Sequence, residues 1–154
     1  MHVQLAGRLA QRGNEPLGDY CPIDRAMQAI GTRSAILLLR EAYYGATRFD
    51  EFAARTGLTE TTTAGRLKTL VEQGVLEKLP YQEPGQRKRY EYKLTPSGDA
   101  LIPVVFALAQ WSNEHQAGSS PINLSHAGCD AAVTIKAECR DGHTVGPDEL
   151  IVSA

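Results

Sequence analysis

The sequence predicts an α+β fold, in which a run of short helices is followed by a β-hairpin and a long apolar helix, all within residues 21–111. Three observations carry this expectation. Apolar residues recur at helical spacing in Ile23, Met27 and Ile30, and again through Ala35–Leu39. Val75–Tyr81 and Tyr90–Thr95 alternate and are rich in β-formers, with Pro84-Gly85 in the turn between them. Glycines at 31, 45, 57 and 74 fall where the periodic stretches stop.

Residues 1–19 mix Gly, Pro, Gln and charges, and read as a tail with a short helix around Val3–Gln11. Cys21 suits a helix N-cap and Pro22 the first helical position. The next helix runs from Ser34 to about Tyr44 and is apolar nearly all round, as a central buried helix would be. A short helix covers Phe49–Arg55. Thr59 then caps a helix reaching about Gln73. With Leu67 facing inward, Thr63, Ala64, Leu70 and Val71 share its side, while Thr61, Thr62, Gly65, Arg66, Lys68 and Thr69 face out. The hairpin follows, and Thr95-Pro96 opens a last helix to about His115, kinked at Pro103. Beyond a Gly/Ser linker at 117–121, strands over Ala131–Cys139 and Glu149–Val152 predict a second short hairpin.

The order helix, helix, helix-turn-helix, basic hairpin, helix is a winged helix-turn-helix with helices left over for dimerisation and a short C-terminal β-hairpin extension. The expected organisation is a tail at 1–19, a DNA-binding and dimerisation domain at 20–117, and the extension at 118–154. At 154 residues there is room for one compact domain and its tails. No apolar run approaches the roughly 20 residues that span a membrane, and no secretory core interrupts the polar start, so the cytoplasm is the expected location.

Net charge is −2, which by itself disfavours nucleic acid. Its distribution does not: residues 1–118 carry +1 and residues 119–154 carry −3. A helix entering the major groove must keep bulk off its outer face while offering donors. Thr59, Thr61, Thr62, Gly65, Arg66, Lys68 and Thr69 meet that requirement. Gln86, Arg87, Lys88 and Arg89 at the hairpin tip would reach the adjacent backbone or minor groove. Sequence-specific binding of duplex DNA is therefore the expected function. A winged helix used for protein docking is the alternative, and a basic turn with a threonine cap is the plain structural reading of the same residues.

Several motifs resemble the HxlR-type regulators. They are Cys21-Pro22-Ile23, Gly31 before Ile36–Glu41, Arg48–Phe52, Arg66–Leu70, Gly74–Leu76, Tyr90–Gly98 and Pro103 with Trp111. The resemblance covers about 90 residues. It implies a homodimeric winged-helix repressor or activator, with the dimer built by the first and last helices. That agrees with the surplus apolar surface of Leu101–Trp111. Two departures stand out: Ser34 replaces the usual aromatic, and Thr61–Thr63 replace a larger apolar residue with a basic neighbour.

Two further sites have alternative readings. Relatives with cysteine at the Cys21 position include thiol-based redox sensors, so the resemblance suggests an oxidant-responsive regulator; the other reading is a helix cap. In the extension, His126-x2-Cys129 and Cys139-x3-His143 are two ligand pairs nine residues apart, a donor set that suits tetrahedral zinc. The same residues also fit plain turns. Three cysteines make no disulfide framework. The sequence has no phosphate loop, nucleophile elbow or paired-carboxylate motif, so an enzyme is not expected.

Overall fold

The computed structural model describes residues 2–118 and 120–154. These form two units: Asp19–Ala109, and the residues up to Gly18 together with Gln110–Ala154. Among the described residues no helix is long and apolar enough to cross a membrane.

The larger unit opens with α2 (Pro22–Ile30), preceded in the chain by β1 (Gln4–Ala6) and α1 (Arg8–Gln11). Cys21 is the N-cap of α2 and Gly31 closes it. Next come α3 (Arg33–Tyr43), capped by the Thr32 hydroxyl, α4 (Phe49–Thr56) and α5 (Glu60–Glu72). Gly57 ends α4 with φ 67°, a left-handed conformation that a side chain disfavours. The antiparallel hairpin β2 (Leu76–Tyr81) and β3 (Arg89–Leu94) pairs Leu76 with Leu94 and Tyr81 with Arg89.

The core fills the angle between α3, α4, α5 and the hairpin. Leu38, Leu39, Phe52, Leu67 and Leu70 are fully buried, and Leu76 and Tyr92 close the sheet side. The helical periodicity explains this: 52, 67 and 70 fall on the apolar face of their helices, while Leu38 and Leu39 belong to a helix that is apolar nearly all round. Thr63 is also fully buried, and its hydroxyl donates to the Thr59 carbonyl at 2.9 Å, so its polarity is met inside its own helix. Ala64, expected on the inner face, is exposed. The buried stripe of α5 is narrower than the wheel suggested, because Thr63, Leu67 and Leu70 suffice to cover α3 and β2.

One strand-like segment was not expected. Arg48 forms an antiparallel bridge with Glu91, and the Tyr92 amide donates to the Thr47 carbonyl at 2.7 Å. Residues 47–48 thus extend the hairpin sheet along the free edge of β3. Glu51 fixes that segment, since its carboxylate accepts from the Thr47 amide at 2.8 Å and the Arg48 amide at 3.0 Å. Those two amides hold the Glu51 carboxyl below the usual carboxylate range.

The last helix is divided, and this corrects the expected single kinked helix. The short α6 (Pro96–Asp99) is followed by α7 (Ile102–His115). Pro103 lies in the first turn of α7, where its missing N–H costs no helical hydrogen bond. Gly98 is buried in α6, and a Cβ there would run into the Val75 carbonyl. The Gly98 carbonyl accepts from the Tyr43 hydroxyl at 2.6 Å. Burial, with Asp99 nearby, pushes that hydroxyl up to about 12, so it keeps its proton at any ordinary pH.

In the smaller unit the start of the chain is a strand, not the expected helix from Val3. Gly7 has φ 59° and breaks any continuous helix, leaving only the single turn α1. β1 pairs in parallel with β4 (Ile151–Ser153), with Gln4 opposite Ile151 and Ala6 opposite Ser153. The extension is β-type, and its other pairings are two tight antiparallel turns, closed by bridges Ser125–Ala132 and Glu138–Thr144. Its final strand takes β1 as partner instead of Ala131–Cys139, a choice set by residues 147 positions away (151 − 4 = 147 for Gln4 and Ile151) and invisible to local pattern.

Candidate nucleic-acid interface

The outward face of α5 is small and polar. Thr59 caps the helix by accepting from the Thr62 amide at 3.2 Å, and its hydroxyl lies 2.9 Å from that of Thr62. Thr69 donates back to the Gly65 carbonyl at 3.1 Å and is half-buried. Thr61 is exposed and has no hydrogen-bond partner among the described side chains. Arg66 is half-buried; Lys68 is exposed, with its ammonium 3.7 Å from the Glu72 carboxylate one turn on. Gly65 is the informative member. A glycine inside a helix costs roughly 1 kcal/mol against alanine. A Cβ at Gly65 would meet nothing within 4 Å, so packing gives no reason for its absence.

The hairpin tip turns through Gly85, with φ 76°, and through a hydrogen bond from the Gln86 amide to the Glu83 carbonyl at 3.0 Å. Gln86, Arg87, Lys88 and Arg89 are all exposed. None of the three cations forms an ion pair among the described residues. The acid of the turn, Glu83, is drawn instead to Arg48 at 2.9 Å.

Sequence reasoning missed the neighbours of these cations. Arg48, Phe49 and Asp50 at the start of α4 face the hairpin across a cleft of about 630 Å³. Lys78, Tyr81, Tyr90 and Tyr92 line its other side, with Arg87, Lys88 and Arg89 above. The Lys78 ammonium stands 4.4 Å from the Tyr90 ring centroid, and the Arg48 guanidinium 5.0 Å from that of Tyr81. Part of this was available from the sequence. In the observed register Lys78 is opposite Tyr92 and Pro80 opposite Tyr90, so alternate residues of two strands form one cationic and aromatic face.

Cys21 is half-buried, and its sulfur accepts from the Asp24 amide at 3.4 Å, as an N-cap should. In the extension His126 Nδ1 is 3.2 Å from Cys129 Sγ, and Cys139 Sγ is 3.5 Å from His143 Nδ1. Each pair belongs to its own bridged turn. Among the described residues no three metal-ligating side chains are gathered, so the expected four-ligand set stands as two separate pairs.

A helix-turn-helix followed by a sheet with a basic tip defines a transcription regulator of the winged-helix type. Residues 29–120 match the family model for the HxlR-like helix-turn-helix, and the chain belongs to that family. Rv3095 of Mycobacterium tuberculosis, an uncharacterized HTH-type transcriptional regulator, is 36% identical over 109 residues, which is 70% of this chain and 68% of Rv3095. Among solved structures, PA1607, described as a transcription factor, superposes with a TM-score of 0.78 at 31% identity, covering 89% of this chain and 96% of PA1607. PA1374 of Pseudomonas aeruginosa, also described as a transcription factor, gives 0.59 at 34% identity, over 82% and 86% of the two chains. These relatives are described as transcriptional regulators or transcription factors.

Proposed function

We propose that this protein regulates transcription by binding a two-fold DNA site as a homodimer in the cytoplasm. In this reading α5 enters the major groove and the hairpin tip lies on the adjacent backbone or minor groove. The observation that carries it is the pairing of an unexplained helical glycine, Gly65, with exposed donors on α5 and three cations on the tip that form no ion pair among the described residues. A glycine with empty space around it suits a helix whose partner is another molecule.

The homodimer rests on apolar surface left open on two helices. Ile23 and Met27 on α2 are exposed, as are Val104, Leu108 and Trp111 on α7. Leu108 is 50% exposed and Trp111 55%, and residues 104, 108 and 111 share one helical stripe. Residues 20–117 would then carry both DNA binding and dimerisation, with 118–154 as an extension and 1–19 as a tail.

Footprinting of the full-length protein on the DNA upstream of its own gene tests this. Two protected half-sites are expected, with centres about 34–36 Å apart along the duplex, or a multiple of that. The affinity should also fall steeply with salt. A protein that protects no DNA at low salt, or protects one as a monomer, overturns the reading; stable capture of a protein partner without DNA binding would support the docking alternative.

A second reading is favoured by the position of Cys21. This thiol caps the same helix that exposes Ile23, 71% accessible, on the proposed dimer face. Two such thiols in a dimer would be oxidised by diamide to a disulfide, the oxidant taking up the two electrons and both protons. The expected results are a disulfide-linked dimer on a non-reducing gel and weakened DNA binding, both absent in Cys21→Ser. An oxidant response that survives Cys21→Ser removes this reading.

A further inference from the structure

We propose that the cleft between the hairpin and the first turn of α4 binds a small planar aromatic anion, and that its occupancy weakens DNA binding. Its volume, about 630 Å³, falls within the range of small-molecule sites. The lining supplies two chemistries at once. Tyr90, 45% exposed, and the half-buried Tyr81 offer aromatic surface, and Tyr92 lines the cleft while buried against Phe52. Arg48, Lys78, Arg87, Lys88 and Arg89 supply five cations against the single carboxylate of Asp50.

Most of that charge is unmet. Glu83 pairs with Arg48, but Lys78, Arg87, Lys88 and Arg89 form no ion pair among the described residues. Two of these ammoniums lean on tyrosine faces instead, Lys78 at 4.4 Å and Lys88 at 6.0 Å from the Tyr90 centroid. An aromatic ring seated beside Tyr90 would put an attached carboxylate or phosphate within reach of those two ammoniums, which both stand within 6.0 Å of that ring's centroid. An alicyclic acid would lose the stacking, and a bare anion would lose both stacking and apolar burial.

The regulatory half rests on the proposed role of the hairpin tip. Arg87, Lys88 and Arg89 line the cleft and are also the proposed backbone contacts. A ligand that neutralises them removes cations from the DNA interface, and each lost phosphate contact reduces affinity. The binding half does not depend on DNA.

Calorimetric titration of the full chain with 2-naphthoate, cyclohexanecarboxylate, AMP and inorganic phosphate tests the binding half. The expected dissociation constant for 2-naphthoate is below about 1 mM, with cyclohexanecarboxylate and phosphate at least about tenfold weaker. Lys78→Gln and Tyr90→Leu should each weaken 2-naphthoate by about fivefold or more while melting cooperatively. AMP binding more tightly than 2-naphthoate would assign a nucleotide as the aromatic anion; the reverse order would assign an aromatic acid. Equal binding of phosphate and 2-naphthoate, or no response to either substitution, overturns the proposal. Saturating 2-naphthoate should then raise the dissociation constant for duplex DNA about threefold or more in the wild type and not in Tyr90→Leu. Unchanged DNA affinity at saturation overturns the regulatory half. If the wild type binds no duplex at all, the DNA-binding reading fails, and calorimetry still decides the cleft.

Discussion

Replacing Arg87, Lys88 and Arg89 together with glutamate lowers affinity for duplex DNA by at least about 100-fold at moderate salt. Each cation placed on a phosphate releases roughly 0.9 of a condensed counterion, so losing three contacts should reduce the log–log salt slope by between about 2 and 3. Reversal adds repulsion where neutralisation would only remove attraction. The fold should tolerate the change: all three side chains are exposed, and none forms an ion pair with a described residue. The melting temperature should therefore stay within about 3 °C of wild type. Gel-shift titrations at four or more salt concentrations, beside a thermal melt, check both parts. A variant that melts normally and keeps the wild-type slope shows that the tip does not touch DNA.

Phe52→Ala is the second large effect, and it acts on the scaffold instead of the surface. Phe52 is fully buried, and its ring meets Tyr92 edge-on with centroids 6.1 Å apart. Truncating a buried Phe costs about 3–5 kcal/mol, from lost burial plus the cavity left behind. Domains of this kind have a total stability of roughly 5–15 kcal/mol, so the loss removes a large share of it. The damage should reach the hairpin, because Tyr92 is both the partner of Phe52 and the β3 residue tied to the Thr47 carbonyl. Urea unfolding should show a lower midpoint with an unchanged slope, and Phe52→Leu should recover most of the loss. A loss below about 1 kcal/mol would mean that Phe52 is not a principal core residue.

Elements set by local chemistry were legible in the sequence. The helices starting after Cys21 and Thr59 begin at the expected caps, whose side chains accept from the helix, and Gly31, Gly57 and Gly74 stop their elements as expected; α3 starts one residue earlier than expected, capped by Thr32. The hairpin was legible from alternation alone. What escaped was decided by distant partners. β1 exists because of Ile151–Ser153, and Thr47–Arg48 pairs with β3 across more than forty residues. The break between α6, which ends at Asp99, and α7, which starts at Ile102, falls just before Pro103, which has no N–H to bond the carbonyl four residues back; the sequence pattern puts the disturbance there but reads as a kink. At the candidate site, the residues on α5 and the tip could be named from spacing. Arg48, Lys78 and the tyrosines joined them only once the register of the two strands and the start of α4 were known.

The pairing of Glu83 with Arg48 has a kinetic consequence. It leaves a concentrated positive tip on a chain whose net charge is −2. At physiological ionic strength the screening length is about 8 Å, so in the proposed reading a distant duplex would meet little net attraction and a close one the local charge of the tip and of α5. Encounter would then proceed without long-range steering, at the ordinary rate for unassisted docking. Salt would act chiefly on how long the protein stays once the tip has landed, so residence time and not arrival would distinguish one DNA site from another.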